Sequence, residues 1–152
     1  GVPPLTILIH DTPTIIFLLF FNFIDLTLNL IYLSMEIEKA IKETGINRYY
    51  SLKDLYGYEN DTFVFPKEEA IKIINFLRED FFPVTGLTLW ILDGKDFKIG
   101  CAWWTCDEIE NENPYSHLKR SCDTAIKYIE DITDASQKDN FLWEIDFRRM
   151  KA

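Results

Sequence analysis

The sequence is poor in histidine and lacks the short motifs of common catalytic and nucleotide-binding sites. Its 152 residues include two histidines, His10 and His117. The sequence contains no phosphate-binding loop, no glycine-rich dinucleotide-binding turn and no serine nucleophile elbow. A cysteine–histidine nucleophile pair would have to use His117, and no Asn or Asp is placed to orient its ring. The sequence therefore predicts a protein that is not an enzyme.

Cysteine is scarce as well, with only Cys101, Cys106 and Cys122. An odd number without disulfide-dense spacing is typical of a reducing compartment, so we expect a cytoplasmic protein. The three cysteines and His117 could form a Cys₃His zinc set, but their spacing does not give the compact ligand pairs of structural zinc sites. We therefore expect ordinary core cysteines and no metal or other cofactor. A Cys/His metal-dependent enzyme is kept as an alternative.

Basic residues are absent from the first part of the chain, where no Lys or Arg precedes Lys39. Residues 15–33 are strongly apolar, with interruptions at Asn22, Asp25 and Asn29. A transmembrane helix needs about 20 such residues. However, Asp25 near the middle would cost about 2.5–3.5 kcal/mol, and no basic flank sets an orientation. A signal peptide would need a positively charged start, which is missing.

We therefore expect residues 1–34 to be a leader of translated upstream sequence ahead of a start at Met35. A stretch rich in Phe, Ile, Leu and Asn without basic residues is typical of AT-rich DNA read as protein. The alternative is a membrane-anchored binding protein that uses residues 15–33 as its anchor. On the first hypothesis the native protein is one α+β domain, residues 35–152, with 23 acidic and 16 basic side chains and a net charge of −7.

The charge balance of the whole chain is strongly acidic, at −9, and 15% of its residues are aromatic. The aromatic content predicts a well-packed globule rather than a disordered chain. The negative charge repels phosphate groups, so we expect binding neither to nucleic acid nor to anionic membranes. The natural complement of such a surface is a basic partner.

The periodicity of residues 35–152 predicts an α+β fold. We expect an antiparallel sheet of three or four strands, with about three helices packed on one face and an apolar N-terminal extension. The predicted helices are residues 36–43 with Gly45 as the stop, the stretch between Pro66 and Pro83, and Pro114 to about Asp131. The predicted strands are residues 62–65, 87–92, 97–101 and 141–147.

Three details of these elements can be checked directly. The buried stripe of the second helix is predicted as Ala70, Ile73, Ile74, Leu77 and Phe81, and that of the third as Leu118, Cys122, Ala125, Ile129 and Ile132. Asp93-Gly94 is a strong signal for a tight hairpin turn. On the last strand, Leu142, Glu144 and Asp146 alternate with the core residues, and we expect this acidic face to be solvated.

An acidic loop after two tryptophans is the best candidate for a functional site. Trp103 and Trp104 precede four carboxylates within six positions: Asp107, Glu108, Glu110 and Glu112. Buried aromatic anchors beside steering charges are common at protein interfaces. Acidic residues are also ordinary ahead of a helix N-terminus, where the dipole favours them. We expect these six residues to bind a partner, with the solvated helix start as the alternative interpretation.

The residues that follow match a known pattern. After Trp104 and the acidic loop come Asn113-Pro114-Tyr115, Leu118-Lys119-Arg120-Ser121, Ala125 and Tyr128-Ile129-Glu130. This order is similar to the "immunity protein forty" family of bacterial polymorphic toxin systems. The upstream Gly-Ile turn at Gly45, the short strand, the helix and the hairpin resemble the same family. The resemblance covers about Met35 to Phe147.

The resemblance implies a non-catalytic α+β antitoxin that binds and neutralises a cognate toxin domain in the bacterial cytoplasm. It brings no catalytic residues. It implies structural roles for Asn113, Tyr115, Arg120, Ser121, Ala125 and Tyr128. Of these, Tyr115, Ala125 and Tyr128 would pack the helix, and Arg120 would pair with a loop carboxylate. A toxin that attacks nucleic acid is often basic, and an acidic binder can imitate the charge of its substrate. The acidic loop, the tyrosine-rich segment near Tyr56 and the exposed sheet face are all open as the interface.

Overall fold

A computed structural model describes residues 4–53 and 61–150, with side chains from residue 14 onward. Tyr56 and Tyr58 of the tyrosine-rich segment, and the side chain of His10, therefore lie outside the described residues. Contacts divide the chain into two compact units, Gly1–Met35 and Glu36–Ala152. The assignment of residues 1–34 to a leader stays a prediction.

The first helix, α1, covers Pro4–Thr44. Over Thr14–Thr44 it is long and apolar enough to cross a membrane by length and composition, with a mean hydropathy of 2.0 in a window that is not buried. A signal sequence would pass the same test. The last turns belong to the second unit, where Ile37, Ala40 and Ile41 are buried as predicted. Gly45, with φ of +68°, follows the helix as a left-handed cap.

The second helix, α2, covers Lys67–Glu79 and buries Ala70, Ile73, Ile74 and Leu77. The prediction that Phe81 continues this stripe was wrong. Phe81 has φ of +63° and its residue surface is 53% exposed. The helix ends before it in a double hydrogen-bonded cap, in which Phe81 N–H donates to Arg78 O and Phe82 N–H donates to Leu77 O. The left-handed residue reverses the chain, so its side chain leaves the buried face.

The third helix, α3, covers Pro114–Ser136, five residues beyond the predicted end at Asp131. Asn113 caps its start, because the side-chain Oδ1 accepts the N–H of Tyr115 at 2.9 Å. The predicted stripe is buried over four of its members, Leu118, Cys122, Ala125 and Ile129, while Ile132 is half-buried. Gln137, with φ of +54°, ends the helix.

The described residues include five strands in two antiparallel sheets: β1 (Tyr50–Ser51), β2 (Phe63–Val64), β3 (Val84–Asp93), β4 (Asp96–Thr105) and β5 (Phe141–Phe147). The larger sheet has the order β4-β3-β5, and β1 pairs with β2. A bridge joins the two sheets, since Phe65 and Trp143 exchange N–H···O bonds of 2.9 and 2.7 Å. The α+β prediction is confirmed.

The hairpin between β3 and β4 forms at the predicted turn signal. Asp93 pairs with Asp96, so the two central turn residues are Gly94 and Lys95. Gly94 has φ of +65°, which is the conformation that a type II′ turn requires at its first central position.

The two faces of the larger sheet differ in what covers them. Helices α2 and α3 pack on the face that carries Trp104 and Trp143, where the Tyr128 ring contacts both indoles. The opposite face has its own small core at the hairpin end, formed by Leu52, Val64, Trp90, Phe97 and Leu142. Leu142 is therefore buried, contrary to the prediction that its face is solvated.

Candidate functional site

The acidic loop is tied to helix α3 through one arginine. Arg120 donates two parallel hydrogen bonds to the Glu112 carboxylate, from Nε to Oε2 and from Nη2 to Oε1, each 2.8 Å long. Nη2 also donates to the backbone carbonyl of Asp107 at 2.8 Å. A single rigid guanidinium group therefore holds both ends of the loop. Its two parallel bonds to Glu112 have the geometry in which Arg pairs with carboxylates most strongly.

His117 completes the cluster from the first turns of α3. It is buried, and its Nδ1 lies 3.2 Å from both Glu112 Oε1 and Arg120 Nη2. In one tautomer this nitrogen donates to the carboxylate, and in the other it accepts from the guanidinium. The hydrogen bonds from Arg120, joined by that from His117, hold the pKa of Glu112 below its usual range. The same pairing raises the pKa of Arg120.

Glu112 thus faces inward, and its side chain is 14% exposed. It serves the loop's own structure, which sets it apart from the other three predicted partner-binding acids. Asp107, Glu108 and Glu110 are exposed. Glu108 lies 3.5 Å from the guanidinium of Arg148, which follows β5.

The two tryptophans point to opposite faces of β4. Trp104 packs against Tyr128 with ring centroids 6.5 Å apart, on the helix-covered face. Trp103 is 69% exposed, and its backbone carbonyl accepts the Tyr128 hydroxyl at 3.0 Å. Of the two predicted anchors, one is therefore part of the packing and the other is available to a partner.

Some of the residues given structural roles by the family pattern are buried, and others are exposed. Ser121 is fully buried, and its Oγ accepts the N–H of Val84 at 3.2 Å while donating to Leu118 O. Ala125 is fully buried. Tyr115 departs from the implied helix-packing role, because it is 61% exposed and meets only the edge of the Phe81 ring, with centroids 6.2 Å apart.

Three exposed apolar residues near these features were not among the predicted partner-binding residues: Ile99, Phe81 and Ile109. Ile109 stands alone among acids in the loop, and a single apolar residue in such a context is a detectable anchor signal. Phe81 lies past the end of the helix, and the Phe82-Pro83 pair that follows it is the signal of that end. Ile99 could not be found in this way, since strand alternation does not say which face a neighbour covers.

The cysteines are dispersed. Cys122 is buried as a core cysteine, but Cys101 is exposed on β4 and Cys106 is half-buried beside Arg120, so the core interpretation is wrong for Cys101. Burial raises the pKa of the Cys106 thiol, partly offset by Arg120, whose Nη1 lies 3.5 Å from Sγ. Within the described ranges, no group of three or more His, Cys, Asp and Glu side chains is placed to hold a metal ion.

The acidic face of β5 also differs from the prediction. Glu144 is half-buried, and its Oε1 accepts the indole N–H of Trp90 at 3.0 Å. Burial raises the pKa of Glu144, and Asp146 raises it further. Burial likewise raises the pKa of Asp146, although much of that residue's surface is exposed.

Comparison with known proteins now adds to this geometry. The family model described as Immunity protein 40 matches residues 42–146, which is 105 of the 152 residues. No curated protein and no solved structure matches the chain. The matched range contains α2, the Arg120 cluster and nearly all of both sheets. The resemblance seen in the sequence is confirmed, and the chain belongs to the Immunity protein 40 family.

Proposed function

We propose that this protein is a non-catalytic, cytoplasmic antitoxin that binds and neutralises the toxin domain encoded with it. Membership of an immunity family supports a protective role. The observation that carries the proposal is the acidic loop, held at both ends by Arg120 while Asp107, Glu108 and Glu110 stay exposed.

A loop that is held before binding suits tight recognition, because little conformational entropy is then lost on association. Its exposed carboxylates would steer a partner electrostatically. Ile109 and Trp103, both largely exposed, supply apolar surface that a partner can bury. The loop therefore combines the charge and the anchors of an interface.

The complementary partner is a basic surface of the toxin. The chain carries a net charge of −9, and three outward acids are concentrated in this loop. A toxin that acts on nucleic acid would need such a basic surface for its substrate, so occupying it would also block the substrate.

Growth rescue tests the proposal. The full chain is expressed beside the toxic C-terminal domain encoded immediately upstream in its source DNA, and survivors are counted. Rescue supports the antitoxin function. Absence of rescue contradicts it if the chain is folded and the toxin alone kills. A parallel strain with residues 35–152 shows whether the first 34 residues are needed.

Charge reversal tests the loop itself. Asp107, Glu108 and Glu110 are changed to Lys, and toxin affinity and association rate are measured. The matched control reverses three exposed acids elsewhere, Glu38, Glu130 and Asp139, which changes the net charge equally. We expect roughly tenfold or greater loss of affinity for the loop variant and a small change for the control. Equal effects would place the interface outside the loop.

A second candidate function is a membrane-anchored binding protein, favoured by the length and apolar composition of α1 over Thr14–Thr44. Its test is fractionation of cells that express the full chain, without detergent. A membrane-bound chain released only by detergent would support the anchor. Recovery in the soluble fraction would contradict it.

A further inference from the structure

Among the residues that the structure describes, neither the helices nor the small core covers one part of the larger sheet. We name it the open sheet face, and its members are Gly86 and Thr88 on β3, Ile99, Cys101, Trp103 and Thr105 on β4, and Glu144 and Asp146 on β5. Ile99 and Trp103 are 67% and 69% exposed, and Cys101 is exposed between them. Three alternate residues of this edge strand are therefore exposed, and they carry an apolar, a sulfur-bearing and an aromatic side chain.

The strand register brings six of these residues into two rows across the sheet, whereas Ile99 pairs with Trp90 and Cys101 lies in the register shift between the two paired parts of β4. Thr88 pairs with Trp103 on one side and with Glu144 on the other. Gly86 pairs with Thr105 and with Asp146 in the same way. Since neighbouring strands are about 4.8 Å apart, the aromatic and acidic edges of a row are separated by roughly 10 Å.

Gly86 is buried in the second row, and the Asp146 side chain lies against it. A Cβ at that position would lie 3.3 Å from the backbone oxygen of Trp104 and 3.4 Å from Asp146 Oδ2, so no side chain rises between Thr105 and Asp146. The floor between Trp103 and the two acids therefore consists of a glycine and a threonine. This is a shallow trough with an aromatic wall and an acidic wall.

Among the described residues, neither acid of the trough is paired with a cation. The side chain of Asp146 makes no hydrogen bond or ion pair there, and Glu144 accepts the indole N–H of Trp90. No Lys or Arg occupies this face within the described strands β3, β4 and β5. The raised pKa values of both carboxyl groups agree with carboxylates that are partly desolvated without a compensating charge.

We propose that the open sheet face receives an Arg or Lys side chain of the toxin, between the Trp103 ring and the carboxylates of Glu144 and Asp146. Indole faces attract cations, and a guanidinium can also pair with carboxylates. The inference rests on the proposed antitoxin function and extends its interface from the loop to the sheet. A second copy of this chain is a poorer occupant, because it would bring like charges together.

Cys101 provides a built-in probe of this surface. It lies between Ile99 and Trp103, Cys122 is buried, and the half-buried Cys106 can be changed to Ser. Full-length Cys106→Ser protein is labelled with a maleimide, alone and in complex with a catalytically inactive toxin domain. We expect the toxin to slow labelling of Cys101 at least tenfold. Labelling at the free rate in a saturated complex would overturn the inference.

Self-association is separated by the same experiment. If Cys101 becomes protected as the free protein is concentrated, without toxin, a second copy covers the face and the inference is wrong. If the free protein labels at one rate at all concentrations and only the toxin protects Cys101, the toxin is the occupant.

Substitutions then test the chemistry. Trp103→Ala and the double variant Glu144→Gln with Asp146→Asn should each weaken toxin binding roughly tenfold, as expected for residues at the centre of an interface. Trp103→Phe should bind better than Trp103→Ala, since it keeps an aromatic face. The matched control is Glu130→Gln with Asp139→Asn, which removes the same charge from exposed positions.

The outcomes distinguish the two proposals. Failure of the unmodified chain to bind or rescue would contradict the antitoxin function itself. Rescue by the unmodified chain, with folded sheet-face variants that bind like it, would overturn only the trough. Because Asp146 is exposed, Asp146→Asn alone serves as the variant that must fold, verified by its thermal melt.

Discussion

At the scale of single residues, Phe81 is held in an unfavourable backbone conformation. Its φ of +63° lies in the left-handed region, which costs a non-glycine residue roughly 1–2 kcal/mol. The hydrogen bonds that end α2 impose this conformation, and the ring is left at the surface beside Tyr115. Strain of this kind persists where the surrounding structure over-determines the residue.

Comparison of Phe81→Gly with Phe81→Ala measures this strain. Both variants remove the ring, but only Gly adopts the left-handed conformation freely. We expect Phe81→Gly to exceed Phe81→Ala by about 1 kcal/mol in the free energy of unfolding, measured in urea. Equal stability of the two variants would contradict a strained cap.

Glu144 is a second residue whose environment sets a measurable property. Burial raises its pKa in the folded state, so the folded protein binds the proton more tightly than the unfolded chain does. Its contribution to stability is therefore fully present below the ordinary glutamate pKa of about 4.3 and is lost as pH rises through the raised value.

Glu144→Gln removes this titration and keeps an oxygen that can accept from Trp90. We expect the variant to melt at the same temperature as the unmodified protein in acid, and at a higher temperature at neutral pH. Thermal melts across that range test this, with the exposed Glu130→Gln as control. If the variant instead melts at a higher temperature than the unmodified protein in acid, folding does not raise the pKa of Glu144. The same variant should lose toxin affinity, a trade of function for stability.

At the scale of elements, the acidic loop depends on the fork geometry of Arg120. Arg120→Lys retains the positive charge but cannot form two parallel bonds to Glu112 and a third to Asp107 O. The loop should therefore open more often. We expect roughly tenfold faster cleavage after Glu108 and Glu110 by a Glu-specific protease.

Lys119→Ala is the control for that experiment. Lys119 lies on the same helix, but its ion pair is with Asp123 rather than with the loop. Loop cleavage that accelerates equally in both variants would show that α3 as a whole, and not the Arg120 cluster, sets the loop's order.

At the scale of the whole molecule, the net charge of −9 should govern the rate of meeting a basic toxin. Long-range attraction between opposite charges accelerates association and is screened by salt. We expect the association rate constant to fall at least threefold between low and high ionic strength, with a smaller change in dissociation. Stopped-flow or surface-binding kinetics measure both constants.

The loop variant, in which the three exposed loop acids are changed to Lys, should associate with a rate constant that depends less on salt. The comparison is with the variant in which Glu38, Glu130 and Asp139 are reversed, which carries the same net charge. A salt dependence that follows net charge alone would argue against steering by the loop.

Local pattern was sufficient for most of the fold. The apolar stripes of α2 and α3, the Asn113 cap and the alternation in β5 depend on residues a few positions apart, so the sequence reveals them directly. The prediction failed where α2 ends before Phe81, because cap geometry depends on hydrogen bonds that periodicity does not encode.

The proposed binding surface could not be predicted in the same way. The sequence places Trp103 and Trp104 on opposite faces of a strand and puts four acids after them, but it does not say which face is covered. Helix packing makes Trp104 internal and leaves Trp103 exposed, Arg120 turns Glu112 inward, and Thr88 brings Trp103 and Glu144 into one row. Residues far apart in the chain make these contacts, so only the tertiary structure decides them.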